Sequence, residues 1–207
     1  MEYEDYVNLQ KEKTEDPIRR NKWLSARHEN AVKFTETFKV SSISCHLPND
    51  KMAKVLCVGA RTGEEVLALR MLGYENTIGI DLVPCDQLVI YGDMHDMPFE
   101  DGEFEFVYTN VIDHSLHPKK FVSETFRVLS GTGVAFFQLQ VGIAGDKYGV
   151  NEVQSVEDFV QMVANVAHED GVKINQVLAS GVSVLTPHNH GLNCNLIINL
   201  GLQTNDK

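Results

Sequence analysis

An alternation of short apolar strands and helical segments between residues 54 and 171 constrains the fold more than any other feature of the sequence. The clearest helix begins at Ser155, which forms a capping box with Asp158, and apolar residues recur at helical spacing from Phe159 onward. This alternation favours a mainly parallel sheet with helices on both faces. Strands are predicted at about 54–58, 77–81, 87–93, 104–110 and 134–141, and helices at about 63–72, 118–130 and 155–170.

Two further strands are expected at the end of the chain, at about 173–185 and 192–201. Only the residues TPHNHG separate them, and a connection this short joins antiparallel strands. We therefore predict a Rossmann-like, doubly wound α/β fold. Its seven-stranded sheet is mainly parallel and has an antiparallel strand near one edge.

The chain divides into an N-terminal segment, residues 1–50, and an α/β domain, residues 51–203. Residues 1 to about 18 are polar and are expected to be loose, and a covering helix begins at Pro17. Two interpretations of Trp23 and Phe34 in that helix are open: packing against the sheet, or forming a lid over an acceptor pocket. Packing is favoured because most apolar helix stripes belong to a core.

The formal net charge of -11 argues against a protein that wraps nucleic acid, which needs clustered basic residues. The four cysteines are widely spaced, so neither a disulfide framework nor a zinc site is predicted. His188 and His190 form an H-x-H pair, for which a polar hairpin tip is favoured over a metal site. Without a signal peptide or a long apolar run, we expect a cytoplasmic protein that does not enter a membrane.

Polar residues and a glycine-rich turn follow four of the predicted strands. Ligands of open α/β sheets bind beyond the carboxyl ends of the strands, where the strand order reverses. Asp81 follows Gly59 by 22 positions (81 minus 59), close to the offset at which an acidic residue binds a ribose. A helix that starts at the turn favours an anionic group. These residues therefore predict a ligand with a nucleoside end and an anionic end. A dinucleotide fits poorly, because Arg61 and Glu64 replace two glycines of the G-x-G-x-x-G pattern.

From about residue 55 to 140 the chain resembles the class I S-adenosylmethionine-dependent methyltransferases, in particular their small methyltransferase domains. The matching segments are VLCVGARTG, GIDL, GDMHDMPFEDGEFEFVYTN and FVSETFRVLSGTGVAFF. The resemblance implies S-adenosyl-L-methionine as cofactor, with Asp81 on the ribose, Asp93 on the adenine amino group and the Met94 backbone against the ring. The other implied cofactor-binding residues are Gly59, Ala60, Arg61 and Gly63 around the methionine part, Leu82 beside Asp81, and Asn110 near the sulfonium.

Two positions depart from the family pattern. Cys57 stands where the family usually has an acidic residue, which can reach the ammonium group of the cofactor. Arg61 stands where the family has glycine. Its guanidinium either pairs with the methionine carboxylate, the interpretation we favour, or fills the pocket.

The resemblance implies methyl transfer to a small-molecule or protein acceptor that the sequence does not identify. Asp113, His114 and His117 are candidates for a general base, although histidines in this loop also serve as plain packing residues. The loop at 142–154 is a natural place for acceptor specificity. The alternative is a non-catalytic binding or partner module that keeps the fold. The oligomeric state is not predicted.

Overall fold

The computed structural model describes residues 1–144, 146–182 and 192–201, which form a seven-stranded sheet with helices on both faces. The strands lie in the order β3-β2-β1-β4-β5-β7-β6, so the order reverses between β1 and β4. The strands are β1 (Val55–Val58), β2 (Thr77–Asp81), β3 (Val89–Tyr91), β4 (Phe104–Thr109), β5 (Leu129–Leu139), β6 (Ile174–Gly181) and β7 (Cys194–Leu200). The helices are α1 (Tyr3–Glu15), α2 (Pro17–Lys39), α3 (Ser41–Ser44), α4 (Glu64–Met71), α5 (Pro118–Val128) and α6 (Val156–Glu169), with one 3-10 turn at Ile112–His114.

The pairing of the strands confirms the predicted fold class. Strands β1 to β5 pair in parallel, and β7 runs antiparallel to both β5 and β6. The antiparallel strand is therefore second from the edge, as the short connection predicted. That connection, with His188 and His190, lies outside the described residues.

Two cores cover the two faces of the sheet. One contains Phe34 and Phe38 of α2 together with α4 side chains, and the other is built on α5 and α6. Successive side chains of β1 point to opposite faces of the sheet, so Cys57 packs on the face covered by α2 and α4, and Val58 packs on the face covered by α5 and α6. Phe34 is fully buried, so the packing interpretation of this residue is confirmed.

The expectation of a loose N-terminus was wrong. Residues Tyr3–Glu15 form helix α1, and Pro17 then opens α2 with the Asp16 side chain accepting a hydrogen bond from the Arg19 N–H at 2.8 Å. The sequence of α1 is polar and gives little apolar periodicity. Contacts with the carboxyl edge of the sheet hold α1 in place. An apolar stripe in the sequence does not reveal such contacts.

Two strand boundaries also differ from the prediction. Strand β3 covers only Val89–Tyr91, so Asp93 lies two residues beyond it. Strand β5 begins at Leu129 because α5 runs directly into it. Element ends are the least certain part of any sequence-based assignment. In the part of the chain that the structure describes, no helix is both long enough and apolar enough to span a membrane.

The turn after β1 depends on the absence of a side chain at Gly59. This residue has φ +72°, and a Cβ atom there would lie 2.4 Å from Val111 Cγ2. The β1 turn and the segment after β4 can approach this closely only with glycine at this position.

We expect Gly59→Ala to lower the free energy of unfolding by about 1–3 kcal/mol, from overpacking and an unfavourable φ. Urea unfolding followed by circular dichroism measures this loss. Gly181→Ala is the matched control, because a Cβ at Gly181 meets no atom within 4 Å. Equal midpoints for the Gly59 variant and the natural chain would contradict the close approach.

Candidate functional site

A cleft lies at the carboxyl ends of β1, β2 and β3, and we call it the aspartate cleft after Asp81 and Asp93, which both line it. Its cavity volume is about 50 Å³, below the range of small-molecule sites, and Tyr6, Gln10, Lys13 and Thr14 of α1 form part of its wall. Six of the predicted cofactor-binding residues line this cleft: Gly59, Arg61, Asp81, Leu82, Asp93 and Met94.

Ala60 and Gly63 lie behind the cleft wall and shape the turn. The Ala60 N–H donates to the Ile80 carbonyl at 3.0 Å, and the Gly63 N–H donates to the Ala60 carbonyl at 2.6 Å. Gly63 has φ +84° and precedes the first residue of α4. These two residues determine the path of the backbone, and their side-chain positions do not face the cleft.

Asp81 is held by two backbone donors. Its Oδ2 accepts from the Arg61 N–H and its Oδ1 from the Val83 N–H, both at 3.0 Å. Burial raises the pKa of Asp81, and these two hydrogen bonds offset part of that rise. The bond from Arg61 also stabilises the left-handed backbone of that residue, which has φ +48°.

The Arg61 side chain forms a wall of the cleft. Its guanidinium lies 4.4 Å from the centre of the Trp23 ring and makes no hydrogen bond or ion pair with any described residue. Arg61 lines both the aspartate cleft and the pocket beside it. The arginine therefore presents unpaired donors between two open spaces, an arrangement suited to binding a carboxylate.

Asp93 is already bonded by groups of the protein itself. The Tyr3 hydroxyl of α1 donates to Asp93 Oδ2 at 2.5 Å, while the N–H and Nδ1 of His95 lie 2.8 Å and 2.9 Å from Oδ1. Burial acts to raise the pKa of Asp93, but the hydrogen bonds from His95 and Tyr3 outweigh it and lower the pKa. Helix α1 thus covers the end of the cleft at Asp93.

Tyr6 is the most deeply buried residue that α1 adds to the cleft. Its side chain is 0% exposed, and its hydroxyl has no hydrogen-bond partner. Burial raises its pKa, and the negative charges of Asp93 and Asp81 raise it further, so the hydroxyl keeps its proton. An unpaired buried donor beside two carboxylates is suited to a polar ligand.

A second space, which we call the polar pocket, lies beyond β4 and β5. Asn110, Asp113 and His114 line it together with Gln140 and Asp146. It shares four wall residues with the aspartate cleft: Lys13, Arg61, Val111 and His114. A group bound in the cleft therefore faces one bound in the pocket across a short boundary.

His117 lies outside both spaces. Its ring stacks on Tyr3, with 5.8 Å between ring centroids and 4° between planes. The structure therefore places His114 and Asp113 at the boundary of the two spaces and His117 behind α1. Within residues 1–144, 146–182 and 192–201, no group of three or more His, Cys, Asp and Glu side chains is arranged to hold a metal ion.

Lys13 of α1 contacts His114 at this boundary. Its Nζ lies 2.9 Å from His114 Nε2, and His114 Nδ1 lies 2.9 Å from the Tyr148 carbonyl. A carbonyl only accepts, so Nδ1 carries the hydrogen and Nε2 accepts from Lys13. Burial, with Arg61 nearby, lowers the pKa of Lys13 to about 8. Burial also lowers the pKa of His114.

Sequence reasoning missed the part that α1 plays in the site. Tyr3, Tyr6, Gln10 and Lys13 follow one another at helical spacing of three and four residues. The last three line the aspartate cleft, and Tyr3 reaches Asp93. The signal was present as a helical stripe, but its residues are polar and aromatic, so a search for apolar periodicity did not find it.

Comparisons with known proteins agree with this fold. Residues 56–137 match the model of a family described as a methyltransferase domain. The chain is similar in structure to an S-adenosylmethionine-dependent methyltransferase from Thermotoga maritima, at 14% identity and TM-score 0.61, covering 90% of this chain and 97% of that one. The predicted resemblance to class I S-adenosylmethionine-dependent methyltransferases is confirmed.

Two further solved structures share the fold. One is a methyltransferase of the same cofactor class from Aquifex aeolicus, at 17% identity and TM-score 0.53, covering 95% of this chain and 98% of that one. The other is the 1,6-didemethyltoxoflavin-N1-methyltransferase from Burkholderia thailandensis, solved with that compound and S-adenosylhomocysteine. Its identity is 11% and its TM-score 0.64, covering 98% of this chain and 92% of that one. No curated protein sequence gives a significant match.

We expect the buried Lys13 to make stability depend on pH. Folded Lys13 loses its proton near pH 8 and an unfolded lysine near 10.5, so the unfolded state binds more protons between these values. From pH 8 to 10, the free energy of unfolding of the natural chain should rise relative to Lys13→Met, by up to about 3 kcal/mol. Urea unfolding across this range measures the difference. A constant difference from pH 7 to 10 would contradict the burial of this amine.

Proposed function

We propose that this chain binds S-adenosyl-L-methionine in the aspartate cleft and transfers its methyl group to an acceptor in the polar pocket. The observation that carries the proposal is that Asp81 and Asp93 face one cleft, which shares a wall with a second pocket. The methyltransferase family match over residues 56–137 supports it. The cofactor supplies an electrophilic methyl group on a good leaving group, so the protein mainly has to position the acceptor.

Each end of the cofactor finds matching groups in the cleft. Asp81 accepts hydrogen bonds from the ribose hydroxyls, with Leu82 beside it. Asp93 accepts from the adenine amino group while the Met94 backbone meets the ring. The free guanidinium of Arg61 pairs with the methionine carboxylate. Gly59 lets the backbone approach the ligand, with Ala60 and Gly63 shaping the turn behind it, and Asn110 faces the sulfonium from the polar pocket.

His114 is the residue we propose to take a proton from the acceptor. It lines both spaces, and its Nε2 is the ring nitrogen without hydrogen. An acceptor with an O–H or N–H group would donate to this nitrogen once Lys13 gives up its contact. Asp113 lies near enough to influence the ring, with 3.7 Å between Asp113 Oδ2 and His114 Nε2. His117, outside both spaces, has no such access.

One observation favours the alternative, a non-catalytic module that keeps the fold. The Tyr3 hydroxyl occupies Asp93 Oδ2, the acceptor that the adenine amino group would need. Ligand binding therefore requires Tyr3 to turn away or α1 to shift. A protein in which α1 never leaves would keep the architecture without using the cofactor.

Calorimetric titration with S-adenosylhomocysteine tests the proposal directly. We expect the natural chain to bind it and Asp81→Asn to bind about 10- to 100-fold more weakly, because charge-assisted hydrogen bonds to the ribose are lost. Asp170→Asn, which changes an exposed residue at the end of α6, is the matched control and should bind as the natural chain does. If neither the natural chain nor either variant binds S-adenosylhomocysteine, the proposed activity is rejected.

We further expect Tyr3→Phe to bind S-adenosylhomocysteine more tightly than the natural chain, by about 3- to 10-fold, because the variant has no hydroxyl competing for Asp93. The same titration measures this gain. A weaker affinity in Tyr3→Phe would mean that the hydroxyl contributes to the site rather than competing with the ligand. Binding that appears only in this variant would favour the non-catalytic module.

A further inference from the structure

Glu65, in the first turn of α4, is a buried carboxylate that the proposed roles above do not use. It is 7% exposed, and its Oε2 has no hydrogen-bond partner. Its Oε1 accepts from the Asn110 Nδ2 at 3.4 Å. A buried carboxylate oxygen without a partner is costly and calls for an explanation.

The groups around Glu65 leave its charge only partly balanced. Glu64 precedes it in α4. The negative charge of Glu65 contributes to the raised pKa of Cys57 in β1 and of Tyr108 in β4. Burial and the neighbouring Glu64 raise its pKa to about 8, and Arg61 and the hydrogen bond from Asn110 act in the opposite direction. Glu64 differs from Glu65 because the Thr62 hydroxyl donates to its carboxylate, at 2.8–2.9 Å.

The position of Glu65 connects it to the boundary of the two spaces. Its hydrogen-bond partner Asn110 lines the polar pocket, and Arg61 lines both that pocket and the aspartate cleft. Glu65 itself lines neither space, and it is one hydrogen bond, through Asn110, from the pocket that Arg61 also lines. A ligand end that carries both a carboxylate and an ammonium group complements the pair of Arg61 and Glu65.

We propose that Glu65 binds the ammonium group of an α-amino acid moiety whose carboxylate pairs with Arg61. The inference rests on the proposed function, because that moiety is the methionine end of the cofactor. It assigns to α4 a charge that the family pattern places at position 57, where this chain has a cysteine. With a pKa of about 8, Glu65 holds its proton at neutral pH in the free protein, and the bound ammonium group stabilises its ionised form while the proton leaves to solvent.

Three ligands separate the contributions of the amino-acid end. S-adenosylhomocysteine carries both charged groups, its deaminated analogue lacks the ammonium, and 5′-methylthioadenosine lacks the whole amino-acid end. We expect the natural chain to bind S-adenosylhomocysteine about 10- to 100-fold more tightly than the deaminated analogue. In Glu65→Gln this difference should fall below about twofold, which is the signature of direct coupling between two groups.

The controls isolate the carboxylate. Glu64→Gln changes the adjacent acid of the same helix and should keep the full difference between the two ligands. Unchanged binding of 5′-methylthioadenosine by Glu65→Gln would show that the cleft is intact. The comparison in the natural chain needs no variant, so the inference remains falsifiable even if Glu65→Gln does not fold.

The inference is overturned if the natural chain binds S-adenosylhomocysteine and its deaminated analogue equally, or if Glu65→Gln keeps the difference. Failure of the natural chain to bind either S-adenosylhomocysteine or 5′-methylthioadenosine would instead reject the proposed function itself. Binding of both, without discrimination at the amino group, rejects the role of Glu65 alone.

Discussion

The hydrogen bonds between the turn after β1 and the end of β2 hold the candidate site together. The N–H groups of Gly59 and Ala60 both donate to the Ile80 carbonyl, and the Arg61 N–H donates to the Asp81 carboxylate. This approach requires glycine at position 79, because a Cβ there would lie 2.6 Å from Ala60 Cβ. These contacts between the turn and the end of β2 fix the orientation of the Asp81 carboxylate and the direction in which the Arg61 side chain leaves the backbone.

Helix α1 completes the site with polar groups rather than with an apolar face. Its buried residues are Tyr6 and Thr14, and its side chains reach Asp93, His114 and the Tyr148 carbonyl. Individual hydrogen bonds of this kind contribute little net stability, since each replaces a bond to water. A helix held in this way opens at lower cost than one seated in a core, and that suits a segment lying across a binding cleft.

The sequence predicted which polar residues meet at the carboxyl edge of the sheet. Asp81, Asp93 and Asn110 follow neighbouring strands, and parallel pairing brings such positions to one edge of the sheet. It could not predict Lys13 or Glu65 as parts of this region. Lys13 arrives from a helix outside the repeating pattern, and Glu65 resembled an ordinary acidic residue in the first turn of a helix.

The sequence by itself determined the strands, most of the helices, the parallel sheet with its antiparallel strand and the acidic residues at the strand ends. Local periodicity and turn residues encode these features because they depend on neighbours along the chain. Only the tertiary structure decided which groups lack partners. Tyr6 and Glu65 have unpaired polar atoms because distant segments bury them without supplying a bond, and no local pattern records that.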